Sequence, residues 1–134
     1  MLKKSWIAGI MLVMLMLLAG CGENHTVQTC VVAENSYTQK EELEEAAAAE
    51  IQTLDAQKKA YTSVHVIESP LGTEYTIKWY LDGKLIDEET KATMNDQEDI
   101  VVYELEAEQM EPGILKVEVV YQNNILWKQE LKVR

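Results

Sequence analysis

The side chains of this sequence that could perform chemistry are two cysteines, two histidines and many carboxylates. The thiols are Cys21 and Cys30, and the imidazoles are His25 and His65. A hydrolase needs a nucleophile held by a base, but neither histidine accompanies a nucleophile motif such as Gly-x-Ser-x-Gly. The spacings of His-Glu-x-x-His, Cys-x-x-Cys and phosphate-binding loops are also missing. We therefore expect no catalytic residues, no cofactor and no enzyme activity.

Two groups of residues could in principle bind a metal ion. His25 and Cys30 lie close in sequence, but two ligands without a partner motif do not make a zinc site. Acidic runs at residues 87–89 and 96–99 flank a polar segment whose oxygens could collect Ca²⁺. Their spacing fits no EF-hand, and the glycine that such loops use for a sharp turn is absent. We therefore expect residues 87–99 to form a solvated acidic loop or a short edge strand, and no metal site.

The charge of the chain restricts its partners. The sequence has 12 basic and 23 acidic residues, for a net charge of −11. Two of the lysines and none of the acids precede Cys21, so the chain from Cys21 onward is more acidic still. Such a surface repels phosphate backbones, which argues against nucleic acid as a partner and favours solubility and cationic partners.

The first twenty residues have the pattern of an export signal. Lys3 and Lys4 give a positive start, and residues 6–19 follow without a charge. This apolar run is shorter than the roughly 20 residues that span a bilayer. The pattern predicts a signal peptide over residues 1–20 rather than an uncleaved anchor helix.

The segment Leu18-Ala19-Gly20-Cys21 closely resembles the lipobox of bacterial lipoproteins. The resemblance implies cleavage after Gly20 and transfer of a diacylglycerol, with acyl chains such as palmitate, to the Cys21 sulfur. It also implies a lipid-anchored protein of the bacterial cell membrane, on the extracytoplasmic side. Cys30 then has no partner within the chain, so the core rather than a disulfide must stabilise the domain.

The mature chain divides into three parts. Residues 21–37 are polar and aperiodic, which predicts a flexible tether with a short extended stretch at 29–33. Residues 38–59 are rich in helix formers and begin with a capping box of Thr38 and Glu41. The apolar residues of this predicted helix form one narrow stripe of Leu43, Ala47, Ile51 and Leu54. We interpret it as a spacer helix that packs its stripe on its own domain; a partner-binding or coiled-coil helix is the alternative.

From residue 61 to residue 134 the apolar pattern has a period of two, which indicates short strands. Asp82-Gly83 is the strongest hairpin signal. Trp79 and Trp127 share the parity of aliphatic residues, which favours core packing over a sugar-stacking platform. His65 lies on the outward parity, and we expect it to be solvated. Tyr80 is predicted to be the most exposed aromatic residue.

Two segments resemble strands of immunoglobulin-like sandwiches. They are Trp79-Tyr80-Leu81-Asp82-Gly83-Lys84 and Gly113-Ile114-Leu115-Lys116-Val117-Glu118-Val119. The paired cysteines of true immunoglobulin domains are absent, and the tyrosine-corner position holds Ile114 or Leu115. The resemblance implies a mainly β fold, a divergent immunoglobulin-like or fibronectin-like antiparallel sandwich over residues 61–134, preceded by one α-helix. We expect these residues to fold alone, with the helix dispensable.

These features predict a lipid-anchored envelope module that binds an envelope protein or a cell-wall ligand. The alternatives are a small membrane-surface enzyme or enzyme subunit, and a structural spacer without a ligand. An exposed apolar patch on one sheet face would favour a partner, whereas a uniformly polar surface would favour a spacer.

Overall fold

Eight strands and one α-helix make up most of the chain that the computed structural model describes, residues 26–134. The predicted signal peptide, Cys21 and His25 lie outside the described residues. The elements are β1 (Val27–Ala33), α1 (Lys40–Ala48), β2 (Thr53–Leu54), β3 (Ala60–Ser69), β4 (Glu74–Leu81), β5 (Lys84–Ala92), β6 (Gln97–Leu105), β7 (Gly113–Tyr121) and β8 (Asn124–Val133). A short 3₁₀-helix (Ala107–Gln109) precedes β7.

The strands form two sheets that pack face to face. One sheet has the order β1–β3–β6, and the other has the order β2–β8–β7–β4–β5. All pairs are antiparallel except β2 with β8. Alternate residues of both sheets point inward and form one core, among them Val64, Val66, Tyr75, Ile77, Trp79, Tyr103, Leu115 and Val117. The prediction of a mainly β, antiparallel sandwich with one helix is confirmed at the level of two packed sheets.

Tight hairpins join neighbouring strands of the larger sheet. At Asp82 and Gly83, φ is 50° and 82°, and at Gln122 and Asn123 it is 48° and 67°. Two consecutive left-handed residues match the right-handed twist of the flanking strands. The hairpin predicted at Asp82-Gly83 is therefore confirmed.

The predicted flexible tether is wrong over residues 27–33, although the extended stretch predicted within it at 29–33 is confirmed as part of β1. Strand β1 pairs with β3 from Val27 opposite Val66 to Ala33 opposite Tyr61. Cys30 belongs to the core, so the sandwich begins at Val27 rather than at residue 61. The physical reason is that the apolar run at residues 30–33 completes the sheet beside β3, and its burial outweighs the polar character of the surrounding sequence.

The helix is shorter than the predicted 38–59. It begins after Gln39, which makes no side-chain cap, so the capping box of Thr38 and Glu41 does not form. The helix ends at Ala48, and Glu50 adopts a left-handed φ of 51°. The chain then extends so that Leu54 is buried in the core and pairs with β8, which outweighs local helix propensity.

The interpretation that the helix packs on its own domain is confirmed. Leu43 is fully buried and Ala46 almost so, and both pack with Val31 and Ala33 of β1. Helix α1 therefore covers part of the outer face of the three-stranded sheet. Within residues 26–134, no helix is long and apolar enough to cross a membrane.

Candidate interaction surface

His65 is buried rather than solvated, which corrects the sequence prediction. Its side chain is 2% exposed, and Nε2 lies 2.6 Å from Oε2 of Glu98. Strand β3 is central in its sheet, so Thr29 of β1 and Ile100 of β6 flank His65 on both sides. Parity identifies the face of a strand but not whether that face is covered. Nδ1 of His65 has no hydrogen-bond partner among the described residues.

Cys30 is a core residue and not a thiol on a tether. Burial raises the pKa of the Cys30 thiol well above its ordinary value. Because the thiolate is the form that ligates metals and attacks disulfides, the buried thiol is unreactive. Among residues 26–134, no three His, Cys, Asp or Glu side chains converge on a point where they could hold a metal ion.

The acidic runs at 87–89 and 96–99 belong largely to strands β5 and β6, so the predicted acidic loop is reduced to residues 93–96. Asp99 accepts hydrogen bonds from the backbone N–H of Met94 (2.7 Å) and Ile100 (2.9 Å) and from Nδ2 of Asn95 (3.0 Å). Burial opposes its ionisation, but these bonds lower the pKa of Asp99 below its ordinary value. This carboxylate therefore holds a turn together.

An acidic groove runs between the edge strands β5 and β6. It is lined by Tyr61, Asp87, Glu88, Glu89, Lys91, Val102, Glu104 and Glu106. Lys91 crosses it, with Nζ donating a 2.6 Å hydrogen bond to the Val102 carbonyl of β6. Nearby, Nε2 of Gln109 donates to the Ile86 carbonyl of β5 at 2.8 Å. Side chains of the protein itself thus donate hydrogen bonds to backbone carbonyls at the edges of both β5 and β6.

The outer face of the five-stranded sheet carries a row of alternating charges across four strands. The strand register places Glu88, Lys78, Glu118 and Lys128 side by side. Lys78 Nζ lies 3.8 Å from Glu88 Oε1, and Glu118 is only 7% exposed between its basic neighbours. Opposite charges on adjacent strands stabilise the sheet, so the middle of this face is neutralised internally.

One end of the same face is apolar. Leu85 of β5 lies opposite Tyr80 of β4, and Tyr80 lies opposite Lys116 of β7, two positions from Ile114. Leu85 and Ile114 are each 46% exposed, and Tyr80 is half-buried between them. Lys116 Nζ lies 4.5 Å from the centre of the Tyr80 ring, a cation–π contact. Leu85, Tyr80 and Ile114 are together called the distal corner below.

The β4–β5 turn fixes the distal corner. Asp82 donates its N–H to the Ile114 carbonyl and accepts the Ile114 N–H on Oδ1, both at 2.9 Å. Gly113, at φ 154°, makes room for this contact, because a Cβ there would lie 2.7 Å from Asp82 Oδ2. The turn and the start of β7 are thus joined, which holds Ile114 on the same face as Leu85.

Three lysines border the distal corner although the whole chain is acidic; one of them, Lys116, pairs with Glu118 at 3.5 Å and lies opposite Glu130. Lys132 lies opposite Ile114, Lys116 lies opposite Tyr80, and Lys84 precedes Leu85 in the chain. Burial, followed by a hydrogen bond to Glu118, raises the pKa of Tyr80, so its hydroxyl stays protonated.

The two strand tryptophans differ in burial. Trp79 is fully buried, which confirms its predicted place in the core. Trp127 is half-buried and packs against the core from β8. Since Trp79 has no exposed face, the two residues cannot form a sugar-stacking platform.

No family model and no curated protein matches the sequence. Among solved structures, an immunoglobulin-like protein of Pseudomonas aeruginosa is similar at 17% identity and a TM-score of 0.45, over 62% of this chain and 78% of that one. The CARDB domain of a Pyrococcus furiosus protein, in complex with di-metal ions, is similar at 14% identity and a TM-score of 0.39, over 81% and 94%. A β-glucosidase of Listeria innocua is similar at 21% identity and a TM-score of 0.42, over 62% of this chain but 15% of the enzyme. We draw no functional conclusion from likenesses this distant.

Proposed function

We propose that this protein is an interaction module, anchored by lipid on Cys21 to the extracytoplasmic side of a bacterial membrane, and that a protein partner docks on its distal corner. The supporting observation is that Leu85 and Ile114 flank Tyr80 on one sheet face and are each 46% exposed. Apolar and aromatic side chains grouped on one face are typical of docking sites, whereas a spacer needs no such group.

The charge around the distal corner indicates the chemistry of the partner. The rim carries Lys84, Lys116 and Lys132, in a chain whose net charge is −11. A partner surface with an apolar centre and an acidic rim would complement it. A partner of that kind would be repelled by most of the remaining surface, so charge favours docking at this corner.

The anchoring part of the proposal is supported by the lipobox resemblance of Leu18-Ala19-Gly20-Cys21 and the signal pattern before it. We also infer that the domain is a divergent relative of immunoglobulin-like or fibronectin-like modules. That inference is supported by its three-stranded and five-stranded sheets and by its Trp79-Tyr80-Leu81-Asp82-Gly83-Lys84 segment.

Site-specific photo-crosslinking in living cells tests the docking site. A photoreactive residue replaces Leu85 or Ile114 in the full chain, and a matched control carries it at Asn123, an exposed turn position at the other end of the sheet. We expect the same discrete adduct from positions 85 and 114, to one identified polypeptide, and none from position 123.

A charge reversal completes the test. Lys132→Glu reverses the charge of one lysine beside the distal corner and should reduce the adduct several-fold, whereas Lys58→Glu, at an exposed lysine of the β2–β3 loop, should not. Equal adducts from all three positions, or no effect of Lys132→Glu, would contradict docking at the distal corner.

A further inference from the structure

The most exposed large apolar side chains of the described residues lie on two turns. Met94, on the β5–β6 turn, is 85% exposed, and Leu71, on the β3–β4 turn, is 61% exposed. A single exposed apolar residue needs no explanation. Leu71 and Met94 are considered together because both turns lie close to residue 26, where the described part of the domain begins.

Both turns lie at the end of the sandwich where the domain begins. The Thr26 carbonyl accepts a 2.8 Å hydrogen bond from the Ile67 N–H, so β1 starts beside the end of β3. Strand β3 leads into the Leu71 turn, whose Gly72 N–H donates to the Thr93 carbonyl at 3.1 Å. This end, with Thr26, Leu71 and Met94, is called the anchor end below.

A third exposed apolar residue borders the anchor end. Ile125 follows the β7–β8 turn and is 51% exposed. Residues of that turn, Gln122 and Asn123, line a shallow groove together with Leu71 and Gly72. The distal corner lies at the opposite end of β4, about 25 Å away for a strand of this length.

The sequence leaves little chain between the expected lipid and the domain. Only five peptide steps separate Cys21 from Thr26. Fully extended, they span about 18 Å. A lipid on Cys21 therefore holds Thr26, where the anchor end begins, within about 18 Å of Cys21.

The two turns are ordered by hydrogen bonds from side chains. Asp99 binds the N–H groups of Met94 and Ile100, and Asp96 Oδ1 accepts the Leu71 N–H at 3.0 Å. Leu71 and Met94 are thus presented on fixed backbone, and a contact with them costs little loop ordering.

We infer that the anchor end rests on the membrane surface, with Leu71 and Met94 inserted among the lipid headgroups. This inference rests on the proposed lipid anchor and adds an orientation to it. Once the lipid holds the chain at the membrane, the contact of Leu71 and Met94 with the headgroups behaves like an intramolecular one. Two apolar side chains then suffice to bias the orientation of the domain on the membrane. The distal corner then points away from the membrane, where a partner can reach it.

The charge of the anchor end makes the contact dependent on lipid composition. Asp96, Glu98 and Asp99 lie beside the Met94 turn. Their negative charge is repelled by anionic headgroups, so insertion should be stronger in phosphatidylcholine vesicles than in vesicles rich in phosphatidylglycerol.

Fluorescence quenching on the full acylated chain in phosphatidylcholine vesicles tests the inference. An environment-sensitive dye is attached at Met94→Cys or, as the matched control, at Leu85→Cys, each in a Cys30→Ala background. We expect a spin label near the lipid headgroups to quench the dye at 94 several-fold more than the dye at 85. Equal quenching, or quenching at 94 that needs an added envelope protein, would overturn the inference.

A second pair of variants checks the roles of the two turns. Leu71→Glu with Met94→Glu should abolish quenching of a dye at Ile125→Cys, and Lys58→Glu, at an exposed loop lysine, should leave it unchanged. Flotation with the vesicles separates the two proposals. A chain that floats while the dye at 94 is not quenched overturns only this inference, and a chain that does not float overturns the anchor and the orientation together.

Discussion

The Tyr103 hydroxyl donates a 2.6 Å hydrogen bond to the Tyr75 carbonyl, across the core from β6 of one sheet to β4 of the other. Both side chains are buried, and the Tyr75 hydroxyl shares a 2.7 Å hydrogen bond with Ser69 Oγ of β3. Burial raises the pKa of Tyr103 far above its ordinary value, so its hydroxyl remains a donor. With Cys30 as a free buried thiol, this bond is a polar link between the sheets of a domain held by its core.

Tyr103→Phe should therefore destabilise the domain. Removing the donor leaves the buried Tyr75 carbonyl without this bond, which costs about 1–2 kcal/mol. Tyr61→Phe, on the outer face of the same sheet, is the matched control and should cost much less. Urea denaturation measures both, and equal losses would show that the inter-sheet bond contributes nothing of its own.

Trp79→Ala should be far more damaging than Trp127→Ala. Trp79 is fully buried, and truncating such a side chain costs about 3–5 kcal/mol. Truncation of the half-buried Trp127 side chain leaves a smaller cavity, which solvent can fill. Thermal melting followed by circular dichroism compares them. A larger loss for Trp127→Ala would contradict the burial of the two residues.

Acid should loosen the β5–β6 turn. The pKa of Asp99 is lowered in the folded protein, so its contribution to stability is complete above the ordinary pKa, about 4, and is lost as the pH falls through the lower folded value. Hydrogen exchange of the Met94 and Ile100 amides measures the opening. Asp99→Asn should open the turn at neutral pH and remove the acid dependence, whereas Asp87→Asn should do neither.

A fragment of residues 61–134 should fail to fold cooperatively, in contrast to the expectation from the sequence. The fragment lacks β1 and Leu54, and so it loses Cys30, Val32 and Leu54 from the core and exposes one edge of β3. A fragment of residues 26–134 retains all of them and is the control. Circular dichroism melts compare the two, and a cooperative transition of the shorter fragment would show that β1 is dispensable.

Cys21→Ala should block acylation. The resemblance of residues 18–21 to a lipobox predicts a lipid on the Cys21 sulfur, and Cys30 is buried in the core. Metabolic labelling with a radioactive fatty acid should mark the natural chain and the Cys30→Ala variant but not Cys21→Ala. Label that persists on Cys21→Ala would refute the anchor.

The strand pattern was predictable from the sequence because a period of two and an Asp-Gly turn are local properties. The burial of Trp79 was predictable for the same reason. The burial of His65 could not be predicted from the sequence, because it depends on neighbouring strands that flank β3 on both sides. The end of α1 at Ala48 could not be predicted either. The chain leaves the helix so that Leu54 can be buried in the core, and that burial depends on the tertiary fold. The distal corner depends on the register between β4, β5 and β7, which no single strand encodes.

The hydrogen bonds of Lys91 and Gln109 at the edges of β5 and β6 affect how readily separate copies of the protein pair through these strands. An unoccupied row of N–H and C=O groups is a template on which identical chains stack into fibrils. Here, part of each row is already taken by a side chain of the same molecule. A second copy that pairs with either edge must therefore first displace that side chain.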